Sequence, residues 1–141
     1  MRQRIRFSEI ESEVPGNKPG IYEIHTDSGI ALKVGISCRL KKRLLQHRTS
    51  RDSALELTQG GSRENPGDVK SKGSILAKHL YYDASLTTGY DLRTETGRRA
   101  FLEEVCYIVF QLTEDTNAAR EEERRRERDG AFRYVGRVVK R

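Results

Sequence analysis

Apolar residues fall in short runs between long polar stretches, and the period of the runs changes along the chain. Residues 21–25 (IYEIH) and 30–36 (IALKVGI) read as strands joined by Thr26-Asp27-Ser28-Gly29, a four-residue hairpin loop. Ser37 then offers a cap for a helix through about His47, with Leu40 and Leu44 on one stripe. Residues 74–82 (SILAKHLYY) and 94–105 (TETGRRAFLEEV) each predict a short amphipathic helix. The continuous apolar run 106–112 (CYIVFQL) has the pattern of a central strand. Thr116 or Asn117 can cap a helix that stops at Gly130, and 132–139 (FRYVGRVV) alternates as a last strand. Residues 1–19 read as an irregular or weakly extended lead-in. Residues 49–72, rich in Gly, Ser and Asn, read as a loop that is mobile without a ligand. These elements predict an α/β (α+β) fold in one domain, 1–141, with a small, mostly antiparallel central sheet flanked by helices.

Composition adds two constraints. Hydrophobic residues make up 35% of the 141 and charged residues 34%, so the core must be thin and the surface densely charged. A formal net charge of +6 favours a polyanionic partner, because neutralising phosphates releases counterions. Cys38 and Cys106 stand far apart and in no metal-ligand spacing, the usage of a reduced intracellular protein. No apolar run approaches membrane-spanning length, and a cytoplasmic protein without a membrane partner is expected.

The hairpin loop at 26–29 places His25 opposite Ile30 and, counting back along both strands, Tyr22 opposite Lys33. Period-two alternation then puts Gly20, Tyr22, Ala31, Lys33 and Gly35 on one face. That face has a phenol, an ammonium and three small residues, a floor with room above it. In the helix that follows, Arg43 and His47 are one turn apart and project together at the edge of the leucine stripe. A nearby cation would favour the tyrosine phenolate.

These residues resemble the GIY-YIG nuclease family. Gly20-Ile21-Tyr22 is its first signature, and Lys33-Val34-Gly35 stands at its second, with Lys33 in place of the tyrosine. Arg43, eight residues beyond Gly35, stands at the family's catalytic arginine, and His47 where several members carry His or Tyr. Glu123, four residues after Ala119, stands at its metal-binding glutamate, with Glu122 as the next choice. The resemblance implies a GIY-YIG-like fold with residues 49–105 as a helical and loop insertion. It also implies a metal-dependent endonuclease acting on nucleic acid, DNA first of all. Tyr22 would be the general base, helped by Lys33 or His47, Arg43 would stabilise the transition state, and Glu123 would hold Mg²⁺ or Mn²⁺. Lys41, Lys42 and Arg48, from the same basic helix, are expected to contact nucleic acid. A homodimer or a partner protein could supply target choice.

Ordinary readings stand beside each of these. Glu121–Arg125 and Glu122–Arg126 are i,i+4 pairs, so the 116–130 helix also reads as a salt-bridged solvent face. The basic run around Arg43 can be a solvated surface. A nucleic-acid-binding module that keeps the fold without cutting is the alternative.

Overall fold

The computed structural model describes residues 2–141. Its centre is a four-stranded, wholly antiparallel sheet in the order β1-β6-β2-β3, flanked by helices, an α+β architecture. The strands are β1 (Gln3–Arg6), β2 (Gly20–Thr26), β3 (Ala31–Ser37) and β6 (Cys106–Leu112). The apolar run of β6 takes an inner position, bonded on both edges to β1 and β2. The lead-in is more regular than its sequence suggests. It supplies edge strand β1, a 3-10 turn (Phe7–Glu9) and the single-turn helix α1 (Ile10–Glu13), whose Phe7 and Ile10 are fully buried.

Neighbouring strand residues point to opposite faces, which assigns the helices. On the Tyr22 face, α2 (Leu40–Thr49), α3 (Ile75–Tyr81) and α4 (Glu95–Val105) enclose the main core of Leu40, Leu44, Leu76, Leu80, Phe101 and Leu102. On the Glu23 face lies α5 (Thr116–Arg128), fixed by the buried pair of Arg126 Nη1 and Glu23 Oε2 at 2.7 Å. Helix α5 is capped by Asp115, which accepts the Ala118 N–H, and not by Thr116 or Asn117, so it starts one or two residues earlier than its sequence suggests. Ser37 likewise does not cap α2. It accepts from the Arg39 N–H, and the helix begins at Leu40.

Two predicted features are corrected. Residues 49–72 are no open loop. They form a second, two-stranded sheet of β4 (Leu55–Leu57) and β5 (Val69–Ser71), whose Leu55 and Val69 join Ala77, Tyr82 and Val138 in a satellite core. Sparse apolar residues suffice there because the hairpin borrows its hydrophobic partners from α3 and the C-terminal segment. Residues 132–139 form no strand. Arg133 and Tyr134 donate to the consecutive carbonyls of Ala31 and Leu32, which is no ladder pattern, and Gly136, at φ 67°, turns the chain away.

Arg98 ties α4 to the turn after α2. It is fully buried, bonds the carbonyls of Ser50 and Leu92, and pairs with Asp52 Oδ1 at 2.5 Å. Arg98→Ala should destabilise the fold by about 3–5 kcal/mol in urea denaturation, since it opens a void and strips two buried carbonyls of their donor. A loss under about 1 kcal/mol would show that this arginine holds nothing together.

Candidate active site

The hairpin register decides what the site floor looks like. Thr26 N–H bonds Ile30 O, so the loop is the three residues Asp27–Gly29, with Gly29 at φ 97°. A bulge then leaves Leu32 without a partner across the ladder. Each change shifts the pairing by one residue. Tyr22 therefore faces Gly35, and Lys33 faces Ile24, which corrects the expected Tyr22–Lys33 pair. A shift of two preserves the face, so Tyr22 and Lys33 still point the same way. The glycines of the hairpin have steric reasons. A Cβ on Gly35 would sit 2.5 Å from Tyr22 Cζ, so the phenol ring lies directly over this residue. A Cβ on Gly20 would sit 2.6 Å from the Gln111 carbonyl and 2.9 Å from Leu40, where β6 and α2 close in.

Tyr22, Lys33, Arg43, His47 and Glu123 line one cleft of 250 Å³. The segment read as an insertion completes it with Ser71, Gly73, Ser74 and Ile75. Tyr22 Oη lies 2.6 Å from His47 Nε2, and His47 Nδ1 lies 2.7 Å from Ser74 Oγ. Ser74 is the N-cap of α3 and accepts the Ala77 N–H at 3.1 Å. A three-member hydrogen-bonded chain thus runs from the cleft into the start of a helix. Arg43 Nη1 donates to the Gly73 carbonyl at 2.9 Å, so the guanidinium is oriented from behind while it lines the cleft.

Burial dominates the electrostatics. It raises the Tyr22 pKa, and Glu123 adds to that rise against the opposing pull of Arg43. Burial outweighs the cations of the cleft, so the phenol stays protonated where a phenolate was expected. Burial, then Lys33 and Arg43, holds His47 neutral well below the ordinary imidazole value. Burial lowers the Lys33 pKa, opposed by Glu123 and Glu127. Burial, then Glu127, raises that of Glu123.

Glu123 and Glu122 have different surroundings. Glu122 is engaged by Arg125 and Arg126, whereas Glu123 faces the cleft with no salt-bridge or hydrogen-bond partner among the described residues. No group of three His, Cys, Asp or Glu side chains surrounds a metal-sized space among the described residues. One half-buried, unpaired carboxylate suits a hard, largely hydrated cation such as Mg²⁺ and does not suit a closed metal centre. Arg48 is occupied: it grips Glu11 through both nitrogens, at 2.8 and 2.7 Å, and lines neither the cleft nor the groove beside it. Lys41 bonds the Glu11 carbonyl and, with Lys42, lines that neighbouring groove.

Ser74 and Gly73 were beyond sequence reasoning about the site. The 74–82 helix was legible, but nothing in its sequence marks Ser74 as the partner of a histidine. Compared with known protein families, curated proteins and solved structures, the chain matches none. Among the described residues no helix is long and apolar enough to cross a membrane.

Two buried neutral histidines give a pH signature. His79, stacked on Tyr134 at 4.8 Å, has its pKa lowered by burial to about 4. Below pH 6.5 an unfolded histidine takes up a proton that the folded one refuses, so stability falls as pH drops and, for His79, levels off near 4. His47→Gln and His79→Gln should each remove about one proton from the slope of unfolding free energy between pH 6.5 and 5. An unchanged slope in both variants would mean the imidazoles titrate freely in the folded protein.

Proposed function

We propose that the chain is a divalent-metal-dependent endonuclease of the GIY-YIG type, hydrolysing phosphodiesters in nucleic acid and in DNA first of all. The observation that carries this reading is the single cleft that gathers a hydrogen-bonded phenol–imidazole pair, a guanidinium, an ammonium and an unpaired carboxylate. Arg43 and Lys33 would bind the scissile phosphate and stabilise the charge that develops on it. Tyr22 works as a neutral phenol: as the water oxygen bonds to phosphorus, Oη accepts the water's proton and passes its own to His47 Nε2. The ester bond to the 3′-oxygen breaks, and that oxygen takes a proton from solvent. Ser74 accepts from His47 Nδ1–H during the transfer and keeps the imidazole aligned. Lys33 and Arg43 disfavour a charged imidazole in the free protein, and a bound phosphate offsets that penalty. Glu123 would hold Mg²⁺ or Mn²⁺, which when bound supplies positive charge to the phosphate and the departing oxygen.

One observation favours the second reading, a nucleic-acid-binding module that does not cut. Tyr22 is only 2% exposed, so its hydroxyl presents little surface to a water. Incubating DNA and RNA substrates with the protein, with and without Mg²⁺ or Mn²⁺, separates the two.

Arg43→Ala and Tyr22→Phe should each slow cleavage at least about a hundredfold. Tyr22→Phe should also cost about 1–3 kcal/mol of stability, because His47 Nε2 loses its partner. Glu123→Gln should abolish metal-dependent turnover and leave binding intact. Lys33→Met should move the acid limb of the pH–rate profile upward, since the lost ammonium is one of the charges that keep His47 neutral. Full cleavage by both Tyr22→Phe and Arg43→Ala would sink the mechanism.

A further inference from the structure

Beside the cleft runs a larger groove of 680 Å³, and Gly73 and Ser74 form the step between the two. Arg39, Lys41 and Lys42 from the start of α2, Arg51 from the turn after it, and Lys72 from the end of the β4–β5 unit line the groove. Among the described residues no carboxylate and no aromatic side chain lines it. Lys72 is paired with Glu56, and Lys41 with the Glu11 carbonyl. Arg39, Lys42 and Arg51 are exposed and have no carboxylate partner among the described residues.

A row of unpaired cations along a concave path attracts a row of anions. The missing aromatics narrow the choice of polyanion, since single strands gain much of their affinity by stacking unpaired bases on such side chains. This groove offers no platform for that. A duplex keeps its bases stacked internally and carries twice the axial phosphate density of a single strand, so a site built from cations alone favours it.

We propose that this groove holds the sugar–phosphate backbone of a nucleic-acid duplex and leads it over the Gly73–Ser74 step to the cleft. The inference rests on the nuclease reading for the chemistry of the partner, and on the groove's own residues for its path. Arg43 sits at the junction, with its guanidinium in the cleft and bonded to the carbonyl of the step residue Gly73. The backbone segment in the groove is thereby placed in line with the phosphate to be cut. Contacts on this flank go to phosphates, so base identity matters little there.

The test measures binding of a short DNA duplex, and of either of its strands alone, to the Glu123→Gln protein as salt is varied. The duplex should bind more tightly than the single strands. The combined Arg39→Ala, Lys42→Ala and Arg51→Ala changes should lower the slope of log affinity against log salt by about 2 to 3, and weaken duplex binding about a hundredfold near 0.15 M salt. All three side chains are exposed, and the same three changes to Gln keep the length of contact while removing the charge, so both triple variants should fold and lose slope alike. An unchanged slope in the triple variants, or a single strand bound as tightly as the duplex, overturns the proposal. Duplex binding through the groove without cleavage by the unmodified protein would remove the nuclease reading and leave the groove standing.

Discussion

Tyr22 Oη and His47 Nε2 lie 2.6 Å apart, with only 2% and 1% of the two residues exposed. Both residues have little surface open to water, so each leans on the other, and a lapse would leave a mostly buried polar group unpaired at a cost of about 1–3 kcal/mol. That requirement fixes the distance between β2 and α2 and the length of chain that joins them. It also explains Gly35, the only residue type that lets the phenol ring lie across the neighbouring strand. On its far side His47 needs Ser74, and Ser74 starts α3. One hydrogen-bonded chain thus locks the β2–β3 hairpin to the middle segment of the protein.

The opposite face shows how a chain with so few apolar residues closes its interior. Arg126, Glu23, His25 and Gln111 form a connected network beneath α5, with Arg126 bonded to both Glu23 and Gln111. Arg98 and Asp83 do the same elsewhere, each fully engaged: Asp83 receives Arg133 and the Tyr134 hydroxyl, which hold its carboxyl well below the usual range despite burial. Such groups add little net stability over apolar replacements, but each is costly to break singly. They therefore specify which helix docks where.

Within the cleft the charged groups are poised against one another. Burial pushes Lys33 and Glu123 each toward its neutral form, and each partly restores the charge of the other. An anion near Lys33 and a cation near Glu123 would relieve both.

Local pattern determined much of this protein. The apolar run of β6, the hairpin punctuated by Gly29, the helices over 74–82 and 94–105, and the register of Arg43 with His47 are consequences of neighbours in sequence, where period and turn chemistry act directly. The placement of Glu123 in the cleft and of Glu122 on its arginines follows from helical rotation, but which of them faces inward needed the docking of α5 through Arg126. Hairpin register was out of reach because a bulge at Leu32 is set by packing, its carbonyl being taken by Tyr134 a hundred residues away. Lead-in strand β1 was too short and too charged to announce itself, and exists because β6 offers it an edge. The β4–β5 unit looked like loop because its apolar partners lie in α3 and at the C-terminus. Ser74 became part of the site only when the middle segment folded back on α2, since a cap serine carries no mark of the imidazole it will meet.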